Sequence, residues 1–198
     1  RDAPARAVAA LRTAAAAALT PAMRAQLGFL EILRDTLPGH ILVGDSTQPV
    51  YAGNLGFAAA TPASWFNSSS GFGTLGYALP AANGASVAQP RRPVVALAGD
   101  GGLQFTLQEL GGLRDLGGHV ALIVWNNRGY GEIKTAMIDA GIAPQAVDLA
   151  PPLLPELASA YGLPYRLVRG EPDLRAALRQ FAAARSPLLI EVDAGAFG

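Results

Sequence analysis

The chain has 198 residues, 51% of them hydrophobic and 15% charged, which is enough apolar material for one large domain core and excludes a disordered segment. Its net charge is zero, with no basic run, so there is no electrostatic footprint for nucleic acid or an anionic membrane, and the absence of cysteine excludes disulfides and thiolate chemistry. With no apolar stretch near ~18 residues and no charged-then-apolar signal pattern at the start, a cytoplasmic protein without a membrane partner is expected.

Ala3 to Leu19 is alanine-rich and helical in pattern, with Val8, Leu11 and Ala15 on one face. Thr20-Pro21 restarts the helix, Thr20 as N-cap and Pro21 at the first helical position. Leu27, Leu30, Leu33 and Leu37 then carry an apolar stripe to Pro38-Gly39. Residues 1–38 read as a helical connector that packs against a domain formed by 39–198.

His40 to Gly44 is the first strand. The run Asp45-Ser46-Thr47-Gln48 after it has two readings: caps for the next helix, or hydroxyl and amide donors to phosphate oxygens. Further on, Gly71, Gly73 and Gly76 fall in the spacing of a dinucleotide fingerprint, with Asp100 24 residues past Gly76. A non-catalytic NAD- or FAD-binding module using this Gly-Phe-Gly-Thr-Leu-Gly loop is therefore the competing expectation. Against it, only Trp65-Phe66 precedes the glycines as strand material, with four polar residues between.

Val94 to Ala98 is a short apolar run that ends in a tight turn, Gly99-Asp100-Gly101-Gly102. Leu107, Leu110, Leu113 and Leu116 recur at helical spacing, Gly117-Gly118 stop that helix, and Val120 to Trp125 is a second apolar run ending in Asn126-Asn127. Short, continuously apolar strands joined through a helix indicate an α/β fold: an open, doubly wound, mostly parallel sheet with helices on both faces. A right-handed crossover brings both strands to the same carboxyl edge, so Asp100 and Asn127 each follow a strand end there. Neighbouring strands lie about 4.8 Å apart, and ligands on opposite sides of Mg²⁺ lie about 4 Å apart. One carboxylate and one amide oxygen can thus meet at one hard cation, with water and phosphate taking the remaining positions. The glycines around Asp100 let backbone N–H groups approach an anion at a helix start. The residues alone predict a Mg²⁺–phosphate site at the carboxyl edge.

From Pro151 onward the pattern is helix (Leu154, Ala158, Tyr161), strand (Tyr165 to Val168), helix (Leu174, Leu178, Phe181), strand (Leu188 to Val192), with no chemistry of its own. His40 and His119 stand at predicted strand starts, on the edge opposite the motif, and read as structural; there is no paired-histidine metal spacing. Ser68 to Ser70 lack a nucleophile elbow.

Gly99-Asp100-Gly101, then 24 residues from Gly102 to Trp125, then Asn126-Asn127, resembles the thiamin-diphosphate motif of the acetolactate synthase and 2-oxo acid decarboxylase superfamily, which includes benzoylformate decarboxylase-like enzymes. The resemblance runs from about Ile41 to Val192. It implies thiamin diphosphate and Mg²⁺ as cofactors, the metal held by Asp100, Asn127 and the carbonyl of Gly129, with Gly101 and Gly102 beside the diphosphate. Thr47 and Gln48 fall where family members bind the diphosphate, as do backbone N–H groups near Gly131 and Glu132. Ser70 to Ala82 resembles the family's SGGLGTMG-type loop. On that resemblance the Gly73 carbonyl accepts a hydrogen bond from the aminopyrimidine, and Leu75 is the wedge that bends the cofactor into a V. Arg128, Ile133, Thr135 and Met137 would line or border the substrate side. Glu132 departs from the Met usual in acetolactate synthases, and Gly129-Tyr130-Gly131 looks nearer to decarboxylase-like members.

The implied activity is decarboxylation of a small 2-oxo acid, carboligation, or both, through a thiazolium ylid: a lyase or transferase reaction. In the family, the glutamate that generates the ylid sits in a separate pyrimidine-binding domain across a dimer interface. None of Glu31, Glu109, Glu132, Glu156, Glu171 or Glu191 matches its motif. The chain is therefore expected to be the carboxyl-terminal part of a three-domain enzyme, or a subunit of a split one. It would be inactive alone and work in a homodimer or homotetramer with that domain as partner, and residues 1–38 would join a middle domain to it.

Overall fold

The computed structural model describes residues 3–197. Two helices open the chain, α1 (Ala3–Ala18) and α2 (Pro21–Thr36). The expected cap forms at the second, where Met23 N–H donates to Thr20 Oγ1 at 3.2 Å. There follow β1 (Ile41–Gly44), α3 (Gln48–Gly56), β2 (Trp65–Asn67), α4 (Ala78–Ala88), β3 (Val94–Gly99), α5 (Asp100–Leu103) and α6 (Glu109–Leu116). The chain continues through β4 (Val120–Asn126), α7 (Gly131–Asp139), α8 (Leu154–Ala160), β5 (Tyr165–Val168), α9 (Glu171–Ala184) and β6 (Leu188–Asp193).

All pairings in the six-stranded sheet are parallel, in the order β2-β1-β3-β4-β6-β5. Helices cover both faces, which is why the central strands read as unbroken apolar runs. Leu42, Val95, Leu97, Ile123 and Ile190 meet one core with Phe29, Leu30 and Leu33 of α2, Val50 of α3 and Phe181 of α9. Ile41, Val43, Ala96, Leu122 and Val124 meet the other with Leu79 of α4, Leu110 and Leu113 of α6 and Leu154 of α8. The fold is the doubly wound α/β sheet expected from the sequence. Its first reversal of strand order falls between β1 and β3, where the helices leaving the two strands diverge and open a crevice at the carboxyl edge.

Two local expectations differ. The face of α1 carrying Val8 and Leu11 is open, at 48% and 70% exposure, because α2 already supplies the layer over the sheet and α1 lies beyond it against α3. Second, Asp100–Leu103 is a helical turn rather than a tight loop. Glycine's poor helix propensity is overridden there by burial of Leu103 against the sheet. The two histidines stand as expected at the amino edge. His40 Nδ1 lies 2.8 Å from Leu37 O, and His119 packs on the Phe181 ring at 4.2 Å.

Candidate functional site

Three helices, α3, α5 and α7, start just beyond the ends of β1, β3 and β4. Their N-cap residues, Thr47, Gly99 and Tyr130, make no side-chain cap hydrogen bond. The N-cap side chains therefore claim no first-turn N–H group at any of these helices, all of which border one hollow of about 270 Å³. Aligned peptide dipoles add positive potential at each terminus.

The hollow gathers almost every residue singled out in the sequence. Thr47, Gln48, Gly73, Leu75, Gly101, Gly102, Asn127, Gly129, Gly131 and Glu132 line it. Asp100 sits beside them, 2% exposed, in the first turn of α5. Burial raises its carboxyl pKa against the lowering effect of nearby N–H groups, and its Oδ2 has no hydrogen-bond partner. Of the residues expected on the substrate side, Ile133 lines the hollow. Thr135 and Met137 do not, and Arg128 borders a separate hollow with Arg169 and Asp193.

A chain of side-chain hydrogen bonds fixes the orientation of Asn127. Trp125 Nε1–H, which can only donate, gives its proton to Gln48 Oε1 at 3.1 Å. Gln48 Nε2 donates to the Glu132 carboxylate at 3.0 Å. Gln48 thus presents an acceptor to Asn127, whose Nδ2 donates to it at 3.3 Å. The Asn127 amide oxygen is left facing two other acceptors, Gly129 O at 2.8 Å and Asp100 Oδ1 at 3.1 Å. Turning the amide over would satisfy those two oxygens but set Asn127 Oδ1 against Gln48 Oε1 at 3.3 Å. Gln48 cannot turn to compensate, because Trp125 has no lone pair to offer.

Three oxygens therefore converge with no proton between them, an arrangement that a cation resolves. Ligands at right angles on an octahedral Mg²⁺ lie about 2.9 Å apart, close to the spacings seen. Among the described residues no group of three or more His, Cys, Asp or Glu side chains could hold a metal. The cluster here is one carboxylate, one amide and one main-chain carbonyl.

The loop after β4 is held by backbone geometry. Gly129 has φ 155°, pairs with Asp148, and lies so close to Val147 that a Cβ would sit 2.3 Å from the Val147 carbonyl oxygen. A Cβ on Gly131 would lie 2.6 Å from Asn127 Nδ2. Close approach to backbone requires glycine at 129, whereas a side chain at 131 would displace the Asn127 amide.

Sequence reasoning gave no role to Asp45. It is fully buried, and its carboxylate accepts from Ser46 N–H at 2.8 Å and from Gly76 N–H at 2.7 Å, with Tyr77 and Ala78 N–H groups nearby. Desolvation raises its pKa while those N–H groups lower it. Asp45 thereby ties the end of β1 to the loop bearing Gly73 and Leu75 and to the start of α4. Ser46 Oγ donates to Gly73 O at 3.0 Å, which leaves that carbonyl one further lone pair.

Residues 45–192 match the family described as "Thiamine pyrophosphate enzyme, C-terminal TPP binding domain". The chain belongs to that family. It is 39% identical over 179 residues to a probable 2-ketoarginine decarboxylase of Pseudomonas aeruginosa, covering 87% of this chain and 32% of that protein. To the mitochondrial acetolactate synthase catalytic subunit of Saccharomyces cerevisiae it is 34% identical over 130 residues, covering 65% of this chain and 19% of that one. Among solved structures, the thiamine diphosphate-dependent 4-hydroxybenzoylformate decarboxylase of Rhodococcus jostii RHA1 matches with a TM-score of 0.75. That match has 29% identity and covers 84% of this chain and 32% of its own. The chain spans a third or less of the length of these relatives. Thiamine pyrophosphate binding is the family's common property, and the dinucleotide alternative finds no support. The Gly71–Gly76 loop leaves an edge strand, β2, through a turn at Ser68–Ser70, and folds back on Asp45 and Ser46. Among the described residues no helix is long and apolar enough to cross a membrane.

Proposed function

We propose that this chain is the diphosphate- and Mg²⁺-binding part of a thiamin-diphosphate enzyme acting on 2-oxo acids by decarboxylation, carboligation or both. The observation that carries the reading is the convergence of Asp100 Oδ1, the Asn127 amide oxygen and Gly129 O at 2.8 and 3.1 Å. It lies beside a hollow ringed by three helix N-termini without side-chain caps. In this reading those three oxygens hold Mg²⁺. Thr47 Oγ1, the Gln48 amide and the N–H groups of Gly101, Gly102, Gly131 and Glu132 face the diphosphate. The Gly73 carbonyl offers its remaining lone pair to the aminopyrimidine, and Leu75 presses on the ring system from below.

When bound, thiamin diphosphate supplies carbanion chemistry at the carbonyl carbon of the substrate. The residues of this chain bind, orient and bend the cofactor. None of the chain's glutamates matches the motif of the residue that serves the pyrimidine ring in the resembled family, so in this reading that group comes from a separate pyrimidine-binding domain, in a homodimer or homotetramer. The names of the relatives support a 2-oxo acid as substrate class. Residues 1–38 serve as the connector to a preceding domain, with α2 also roofing one face of the sheet.

Titration calorimetry of thiamin diphosphate on the full-length protein, with and without Mg²⁺, tests the reading. Binding that requires the metal and disappears in Asp100→Ala is expected. Binding indifferent to both would overturn it.

A further inference from the structure

Glu132 anchors Gln48 through one carboxylate oxygen and has its second left without a task in the proposed cofactor site. It stands in the first turn of α7 and contributes the only carboxylate to a lining that has no Lys, Arg or His. Gln48 Nε2 holds its Oε1 at 3.0 Å. Its Oε2 accepts from no protein donor and is open to solvent at the mouth of the hollow, and the residue forms no ion pair among the described residues. An acid in the first turn of a helix is favoured by the dipole. The dipole does not account for the tether, which holds this solvent-facing carboxylate at the rim of the hollow.

The setting makes the charge unexpected. A diphosphate and a 2-oxo acid are both anions, and a carboxylate sharing their cavity repels them at close range. A fixed negative charge in such a place is compatible with binding when the incoming molecule carries a positive charge of its own. Tyr51 and Ile133, on the same lining, offer apolar contact for a methylene stem leading to that charge.

We propose that Glu132 is a specificity-determining residue, and that the site takes a 2-oxo acid whose side chain ends in a cation, a guanidinium or an ammonium. The proposal rests on the thiamin-diphosphate reading above and names the substrate class for that site. Oε2 accepts a charge-assisted hydrogen bond from the cation while Gln48 keeps the carboxylate in place. A bond of that kind corresponds to a preference of about 10- to 100-fold over a neutral side chain of similar length.

The test uses the full-length protein loaded with thiamin diphosphate and Mg²⁺. The probes are 5-guanidino-2-oxopentanoate, 2-oxohexanoate and 2-oxoglutarate as cationic, neutral and anionic substrates. The ratio of kcat/KM for the first to that for the second should favour the cation and fall about 10- to 100-fold in Glu132→Gln. In Glu132→Lys, 2-oxoglutarate should overtake the guanidino acid. By calorimetry, the non-reacting 5-guanidino-2-hydroxypentanoate should bind about 10- to 100-fold more weakly to Glu132→Gln. A ratio and an affinity within threefold of wild type in that variant, or an equal loss on cationic and neutral substrates, overturns the proposal. If Mg²⁺-dependent cofactor binding persists in that case, the specificity assignment fails alone. If cofactor binding is itself absent from wild type, the site reading fails with it.

Discussion

The indole Nε1 of Trp125 donates to Gln48 Oε1 over 3.1 Å, and that bond decides which way the Asn127 amide faces. Trp125 lies at the end of β4, 1% exposed and edge-on to Phe29, so its indole cannot turn away. Replacing Trp125 by Phe removes the donor and frees Gln48 to rotate. Asn127 can then turn its Nδ2 toward Gly129 O and Asp100 Oδ1, closing the oxygen cluster with protons. Mg²⁺ affinity should drop by about 10- to 100-fold, the usual cost of losing an outer-shell partner. Magnesium titrations of thiamin-diphosphate binding on the full-length protein measure it, with Gln48→Leu as a second route to the same loss. An affinity unchanged in both variants would remove the relay from the account of the site.

Asp100 is expected to oppose stability in the metal-free protein. Its carboxylate is buried beside two other oxygens with Oδ2 unpartnered, and the nearby backbone N–H groups only partly offset the desolvation. Asp100→Asn replaces the charge with a group able to donate, and should raise the metal-free protein's unfolding free energy by about 1–3 kcal/mol. The same change should abolish Mg²⁺-dependent binding of thiamin diphosphate. Denaturant melts without metal, paired with calorimetry, read both. A loss of stability alongside the loss of binding would mean that the carboxylate is satisfied in a way the geometry does not indicate.

Much of this was legible in advance, and what was not is non-local. The strand–helix–strand unit from Val94 to Asn127 shows in the sequence because full burial on both faces leaves only apolar residues in the strands. Asp100 and Asn127 follow from it, since the topology sends both strands to one edge. The sequence points to Gln48 as a residue facing phosphate, but its place between Trp125 and Glu132 depends on partners 77 and 84 positions away. The sequence assigns Asp45 no role for a related reason: its partner is the Gly76 N–H, 31 residues on. A buried acid at a strand end followed by a glycine-rich loop was the available signal. The helical turn at Asp100 has no local signal, because two glycines argue against a helix and only packing of Leu103 against the sheet reverses that.

Gly129→Ala should be among the most damaging single-methyl changes. The residue sits at φ 155°, and the added carbon would lie 2.3 Å from the Val147 carbonyl oxygen. Backbone strain and overlap together should cost about 2–4 kcal/mol. Because relief can come only by moving the loop, the Gly129 carbonyl leaves the oxygen cluster and Mg²⁺ binding weakens as well. Thermal melts and metal titrations on the same variant test the pair of effects. Retention of both within error would mean the loop is free to shift.

His40 gives a pH signature. Burial lowers its pKa from the ordinary value, opposed by the hydrogen bond to Leu37 O, with the Arg92 charge lowering it further. The unfolded chain therefore binds a proton near pH 6.5 that the folded chain refuses until lower pH. The stability contributed by the neutral ring is complete above about pH 6.5 and is lost as the pH falls below it. His119 is shifted the same way by burial beside Phe181. Melting temperature should decline between about pH 7 and pH 5, less steeply in His40→Gln. An identical slope in wild type and variant would show that the ring titrates alike in both states.

The all-parallel order of the sheet divides the two rims of the molecule by occupation. Every crossover returns to the same side, so the turns after β1, β3 and β4 line the hollow proposed to take the cofactor. The turns that lead into β3, β4 and β6, around Pro90–Pro93, Gly117–His119 and Arg185–Pro187, hold structural contacts such as those of Arg92 and His119 but no residue of that hollow. Insertions, fluorescent labels or surface attachment at those opposite turns lie a strand's length from the cavity. The protein thus offers a side for engineering that its chemistry does not use.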